Sequence, residues 1–165
     1  MDAGQILLLR NELLLTILLL VVLMAEIFVK SRHKNVVLIL ALIGFSVITA
    51  IGFLPLQEGS LFGGMYRTND TIWLMKNILN CGMLIVFLQS FSWLQNDENR
   101  GKVNEFIMLL LSTLIGMNFM FSSGDFLMLY IGLELATIPL AALAAFDKLW
   151  PPTTGSGRLR QTLAD

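Results

Sequence analysis

Glu134 is a carboxylate in a stretch that water should not reach. It lies near the middle of DFLMLYIGLELATIPLAALAAFDK, from Asp125 to Lys148, a run about long enough to span a bilayer as one helix. Centring a carboxylate in hydrocarbon costs roughly 2.5–3.5 kcal/mol on insertion scales. Such acids face a protein interior or water, and they are candidates for proton or ion handling. Five residues on comes Pro139. It has no N–H, so the carbonyl of Leu135 loses its helical donor and a kink is expected there. Thr137 is close enough to help satisfy that carbonyl. By 3.6-residue periodicity, Leu127, Tyr130, Ile131, Thr137 and Ile138 share the Glu134 face. Gly132 and Ala136 lie opposite, small enough for a neighbouring helix to pack closely. The alternative reading is one protonated, hydrogen-bonded structural acid in a bundle of lipid-buried helices.

Other chemistry is sparse. No Cys–His cluster, glycine-rich phosphate loop or Ser–His–Asp set occurs, and no basic cluster with interleaved aromatics points to nucleic acid. Cys81 is the single cysteine, inside an apolar run, which excludes an intramolecular disulfide and reads as packing. His33 lies among charges in a short loop and is expected to be solvated. Of the 165 residues, 56% are hydrophobic and 14% charged, with a mean hydropathy of +0.75. A soluble domain carries about 25% charged residues. The apolar excess falls in runs, so the chain reads as an all-α, polytopic membrane protein.

Five helices are needed to position these residues, at about 12–30, 35–55, 72–94, 104–122 and 125–147. The first has Arg10 and Glu12 at its outer end and Glu26 one turn from the basic run Lys30 to Lys34. Glu26 is expected to snorkel at the interface, paired with Lys30 at i+4. A cleaved signal peptide fits poorly, because the apolar core is long and no A-x-A site follows. The second span is uncharged, with Gly44, Ser46, Thr49 and Gly52 as small or weakly polar positions, and Pro55 ends it. Residues 56–71 form the longest internal loop, rich in turn residues, and could fold into a short hairpin over the surface. The third span is the most polar, with Lys76, Asn77, Asn80 and Gln89. Lys76 is one turn in, and snorkelling is its expected behaviour. Trp73 and Trp93 flank this span as an aromatic belt would. Asn118, the one strong polar group of the fourth span, is expected to make an interhelical hydrogen bond. Asp125 is placed to N-cap the fifth.

The stretch Tyr130-Ile131-Gly132-Leu133-Glu134-Leu135, with Ile138-Pro139-Leu140 and Leu143-Ala144-Ala145-Phe146, resembles the fifth transmembrane helix of subunit N of NADH–quinone oxidoreductase, respiratory complex I. That subunit belongs to the antiporter-like family, with subunits L and M and the Mrp-type Na⁺/H⁺ antiporters. Subunits L and M usually carry Trp directly before the acid; Leu133 stands there here, which favours subunit N. Glu12-Leu13 and Glu26-Ile27-Phe28 also resemble the ends of that subunit's first helix. The resemblance implies that Glu134 belongs to a proton-translocating half-channel and pairs with a Lys two helices further on. It implies other complex I membrane subunits and the lipid bilayer as partners. NADH, flavin, iron–sulfur centres and quinone would lie on other subunits, with no cofactor held by this chain. An Mrp-type antiporter subunit, or a small non-catalytic membrane protein, is the alternative.

The resemblance covers about Asn11 to Lys148, the first third or so of such a subunit. Residues 149–165, LWPPTTGSGRLRQTLAD, depart from it. Two prolines and Gly-Ser-Gly break any helix over Pro151–Gly157. The Lys expected on a seventh helix has no counterpart here, so the expectation is an N-terminal fragment with an unrelated tail, inactive alone. The first inverted repeat of the family would begin only at about the fourth helix.

Orientation follows from the cations. Placing the Lys30–Lys34 loop inside puts eight of the eleven Lys and Arg residues on the cytoplasmic side of five spans, and leaves Arg10, Arg67 and Lys76 outside. The N-terminus is then expected outside and the tail in the cytoplasm, and the resemblance implies a bacterial inner membrane. In a Cys81→Ser background, a membrane-impermeant thiol reagent added from outside should label Ser60→Cys and spare Ser31→Cys. The reverse pattern would invert the topology.

Overall fold

A computed structural model describes residues 7–28, 34–55, 58–94 and 103–145. Five helices run in chain order: α1 (Arg10–Phe28), α2 (Lys34–Gly52), α3 (Asp70–Leu94), α4 (Val103–Phe121) and α5 (Phe126–Ala144). Between α2 and α3 lies a hairpin of β1 (Gly59–Leu61) and β2 (Tyr66–Thr68), joined by a 3₁₀ turn at Phe62–Gly64. The strands are antiparallel, with Gly59 opposite Thr68 and Leu61 opposite Tyr66. The turn needs left-handed backbone at Gly63 and Gly64, φ 67° and 96°, where an absent Cβ removes the steric penalty.

The helices alternate in direction. Arg10 Nη2, at the start of α1, donates to Leu54 O just past the end of α2, at 2.8 Å. Trp73 Nε1, in the first turn of α3, donates to Gly52 O at 2.9 Å. The hairpin backbone clamps the α4–α5 turn: Arg67 N donates to Ser122 O at 2.8 Å, and Gly124 N to Met65 O at 2.6 Å. The start of α1, the end of α2, the start of α3, the end of α4 and the start of α5 therefore meet at one end, under the hairpin. Lipid offers the backbone no hydrogen-bond partner, so helices cross it and the irregular chain collects at the ends.

Local caps set the starts of two helices. Asn69 Oδ1 accepts from Ile72 N at 2.8 Å ahead of α3, and Asp125 Oδ1 accepts from Met128 N at 2.8 Å ahead of α5. Each satisfies one of the unpaired N–H groups of a first helical turn. The second helix ends at Gly52, three residues before Pro55. Asp70, expected in the loop, opens α3 instead. Pro139 lies buried inside α5, and the helix continues through it.

The core lies between α1, α2, α3 and α4, with Leu15, Val22, Leu38, Phe45, Phe87, Leu111 and Leu114 buried in it. Phe45 and Phe87 stack with ring centroids 6.1 Å apart. Most of the large apolar side chains exposed on α1, α2 and α3, such as Ile17, Ile43 and Ile78, suit a hydrocarbon solvent. Among the described residues, three helices are long and apolar enough to cross a membrane: Asp70–Phe91, Val103–Phe121 and Phe126–Ala144. The apolar stretch Val36–Gly52 of α2 is shorter.

α4 is the hub, packing against each of the other helices, whereas α5 leans chiefly on α4. That seam is built on glycine. A Cβ on Gly116 would come within 2.6 Å of the Leu135 carbonyl carbon, and one on Gly132 within 2.8 Å of Met120 N. Both obstacles are backbone, so neither can rotate aside. Gly116→Ala should therefore push α4 and α5 apart and destabilise the bundle by about 1–3 kcal/mol, as overpacking does. Gly82→Ala, where a Cβ would meet nothing within 4 Å, should be neutral or stabilising by up to about 1 kcal/mol. Thermal unfolding in detergent would compare the two.

Candidate functional site

Glu134 sits on α5 eight residues after Phe126, about 12 Å from the hairpin end at 1.5 Å per residue. It is half-buried. Gly132 and Ala136, two residues to either side, are buried against α4, so the carboxylate points away from the seam. Its own face carries Leu127, Tyr130, Ile131 and Ile138, each at least half exposed. The Tyr130 hydroxyl, one turn earlier, interacts with the Glu134 carboxylate. Thr137 does not serve the carbonyl freed by Pro139: its Oγ1 donates to Leu133 O at 2.8 Å. The reason is geometric, because a helical Thr reaches the carbonyl four residues before it more readily than one two residues before.

Asn118 corrects a second expectation. Its Nδ2 donates to Leu114 O, one turn back in the same helix, at 3.1 Å. Its Oδ1 is buried without a hydrogen-bond partner among the described residues. Gly116 and Met120 turn toward α5, so Asn118, two residues from each, faces the other side of α4. The fold therefore does not bring Asn118 and Glu134 together. Glu26 falls in the last turns of α1, and its side chain, like Lys30, lies outside the described residues.

Lys76 corrects a third. It does not snorkel: it is only 3% exposed and forms an ion pair with Glu12 of α1. Its Nζ also donates to the Tyr66 hydroxyl at 3.0 Å and lies 5.0 Å from the centre of that ring, within cation–π range. Tyr66 in turn donates to Leu8 O at 3.1 Å. Tyr66 is fully buried. Burial first, and the nearby Glu12 carboxylate second, push its phenol far above the usual tyrosine range, so it stays a protonated donor. The physical cause of the correction is the hairpin. It covers the end of the bundle and delivers Tyr66, so water is shut out and a counter-charge is required.

Glu12 is the residue that sequence reasoning passed over. The signal was present: alternation puts Glu12 and Lys76, one acid and one base, on the same side of the membrane and both just inside their spans. Two protonatable centres stand out, the Glu12–Lys76 pair at the hairpin end and Glu134 near the middle of α5. One is enclosed and charge-paired. The other, Glu134, is open on its outward face and pairs with no base among the described residues.

Removing one partner of the enclosed pair strands the other. Lys76→Met should cost about 3–5 kcal/mol, the range for an uncompensated buried charge. Glu12→Met combined with Lys76→Met should recover most of that loss. Unfolding midpoints of both single variants and of the double would check it; a double variant that loses the sum of the two single losses would show that the pair carries no coupling.

No family model matches the chain. Curated proteins do. The chain is 40% identical over 148 residues to NADH-quinone oxidoreductase subunit N of Phocaeicola vulgatus, covering 90% of this chain and 31% of the relative. It is 37% identical over 150 residues to the same subunit of Azobacteroides pseudotrichonymphae, with the same two coverages. It is 28% identical over 150 residues to F(420)H(2) dehydrogenase subunit N of Methanosarcina mazei, covering 87% of this chain and 30% of the relative. The chain thus spans about a third of the length of the curated relatives it matches.

Proposed function

We propose that this chain, homologous to NADH-quinone oxidoreductase subunit N over nine-tenths of its length, forms the first five helices of a proton-translocating membrane subunit of complex I. The observation that carries the reading is the uncovered face of α5. Glu134 stands half-buried among exposed apolar neighbours, on the side of α5 away from α4. An acid at that depth requires protein or water beside it. The matched relatives are about three times as long, and their further helices would supply that cover. Glu134 then acts as the protonatable group of the path. Its charge state responds to a basic partner on those helices, and motion of the partner couples to proton release or uptake. Tyr130 positions the carboxylate from one turn away.

The electron chemistry lies elsewhere in the complex. The named relatives are two NADH-quinone oxidoreductase subunits and one F(420)H(2) dehydrogenase subunit, so a similar membrane segment serves with different electron donors. NADH, flavin, iron–sulfur centres and quinone belong to other subunits, and the partners of this chain are the neighbouring membrane subunits and lipid. The chain sits in a bacterial inner membrane, as its similarity to bacterial NADH-quinone oxidoreductase subunits suggests, and the distribution of cations supports an orientation with the hairpin outside.

The test uses a full-length subunit N carrying this stretch. Glu134→Gln keeps the shape and removes the charge, so the variant should insert and assemble at parental levels. NADH-driven proton pumping in membrane vesicles should fall to a small fraction of the parent. Parental pumping would reduce Glu134 to a structural acid.

A further inference from the structure

Asn77 and Asn80 are the most deeply buried amides of α3, 2% and 0% exposed. Both lie beside Gly52 of α2. The Asn77 Oδ1 is 2.7 Å, and the Asn80 Nδ2 3.7 Å, from the point where a Cβ on Gly52 would stand. Their side-chain oxygens and nitrogens have no hydrogen-bond partner within the described protein. Lys76 lies next to Asn77 and one turn before Asn80, on the same buried side of the helix. Its partner Glu12 uses one carboxylate oxygen, and the other, Oε2, is buried and without a partner. Five buried donor or acceptor atoms thus occur within about one turn of helix. An unpaired buried amide or carboxylate oxygen is costly, and such groups in proteins are generally satisfied by protein or by ordered water.

The charges decide what fits. A free cation would meet the Lys76 ammonium, and a free anion the Glu12 carboxylate. A neutral ligand that both donates and accepts is required, and it must be small enough to sit between helices. We infer that the inner side of α3, from the Glu12–Lys76 pair to Asn80, is an internal water-binding site. Two of the three Lys76 N–H groups go to Glu12 and Tyr66. The third can donate to a water that in turn donates to Glu12 Oε2. Asn77 and Asn80 offer the mixed donors and acceptors that hold two to four bonds per water. The site reaches about 15 Å into the bundle, ten residues past Asp70 at 1.5 Å each, and does not involve Glu134.

The experiment is water-edited solid-state NMR on the full chain in lipid bilayers. It reads magnetisation transfer from water to the side-chain amides of Asn77 and Asn80, with the backbone amide of fully buried Phe87 as the dry reference. Transfer faster than at Phe87 is expected. Transfer no faster than at Phe87 overturns the proposal, because the two amides would then be paired with protein or left dry. Stability gives an independent sign. Asn80→Leu should lower the melting temperature if it displaces bound water and strands that water's other partners. It should raise it or leave it unchanged if the amide is dry, and that result also counts against the proposal.

Discussion

The ion pair of Glu12 and Lys76 is the interaction on which the hairpin end of this bundle depends. Two charges held out of water attract strongly only if their remaining hydrogen-bonding capacity is also met. Tyr66 accepts from the ammonium and donates its own O–H to Leu8 O, so the contact ties α1, α3 and the hairpin into one unit. The backbone of the same hairpin grips the α4–α5 turn through Ser122 and Gly124. Four helix ends are thereby fixed by one short loop, and the start of α5 is set where Asp125 can cap it.

From that fixed end, α5 is seated against α4 by small residues, with Leu135 and Leu143 packing beside them. Gly116 and Gly132 let two backbones approach closely, which in lipid replaces the water-driven force that packs soluble helices. Close packing on one side commits the other side outward. Glu134 lies two residues from both Gly132 and Ala136, so the seam that anchors the helix also aims its carboxylate away from the four helices behind it. The two centres divide the electrostatic work: a neutralised pair secures the scaffold, and a lone acid is presented on the face that scaffold leaves open.

Much of this was legible in the sequence. Apolar runs of about twenty residues placed five helices to within a few residues, because backbone in lipid has few other solutions. Gly63 and Gly64 marked the hairpin turn, Asp125 marked the cap of α5, and the opposition of Glu134 to Gly132 and Ala136 followed from helical period alone. The resemblance to subunit N was read mainly from the residues around the acid, Tyr130 to Leu135 and Ile138 to Leu140.

What the sequence could not decide was which polar groups meet across helices. A lysine one turn inside a span has two physical solutions, reaching back to water or pairing inward, and they differ only in whether something covers the helix end. The hairpin provides that cover, so Lys76 pairs with Glu12, 64 residues away. The local bonds of Thr137 and Asn118 were misjudged for a related reason: a side chain returns to its own helix when no neighbouring group is in reach, and reach is set by helix rotation. Period, length and capping are local and can be read from the chain. Pairing between distant helices depends on their relative rotation and depth, which the packed glycines and the hairpin clamp determine together.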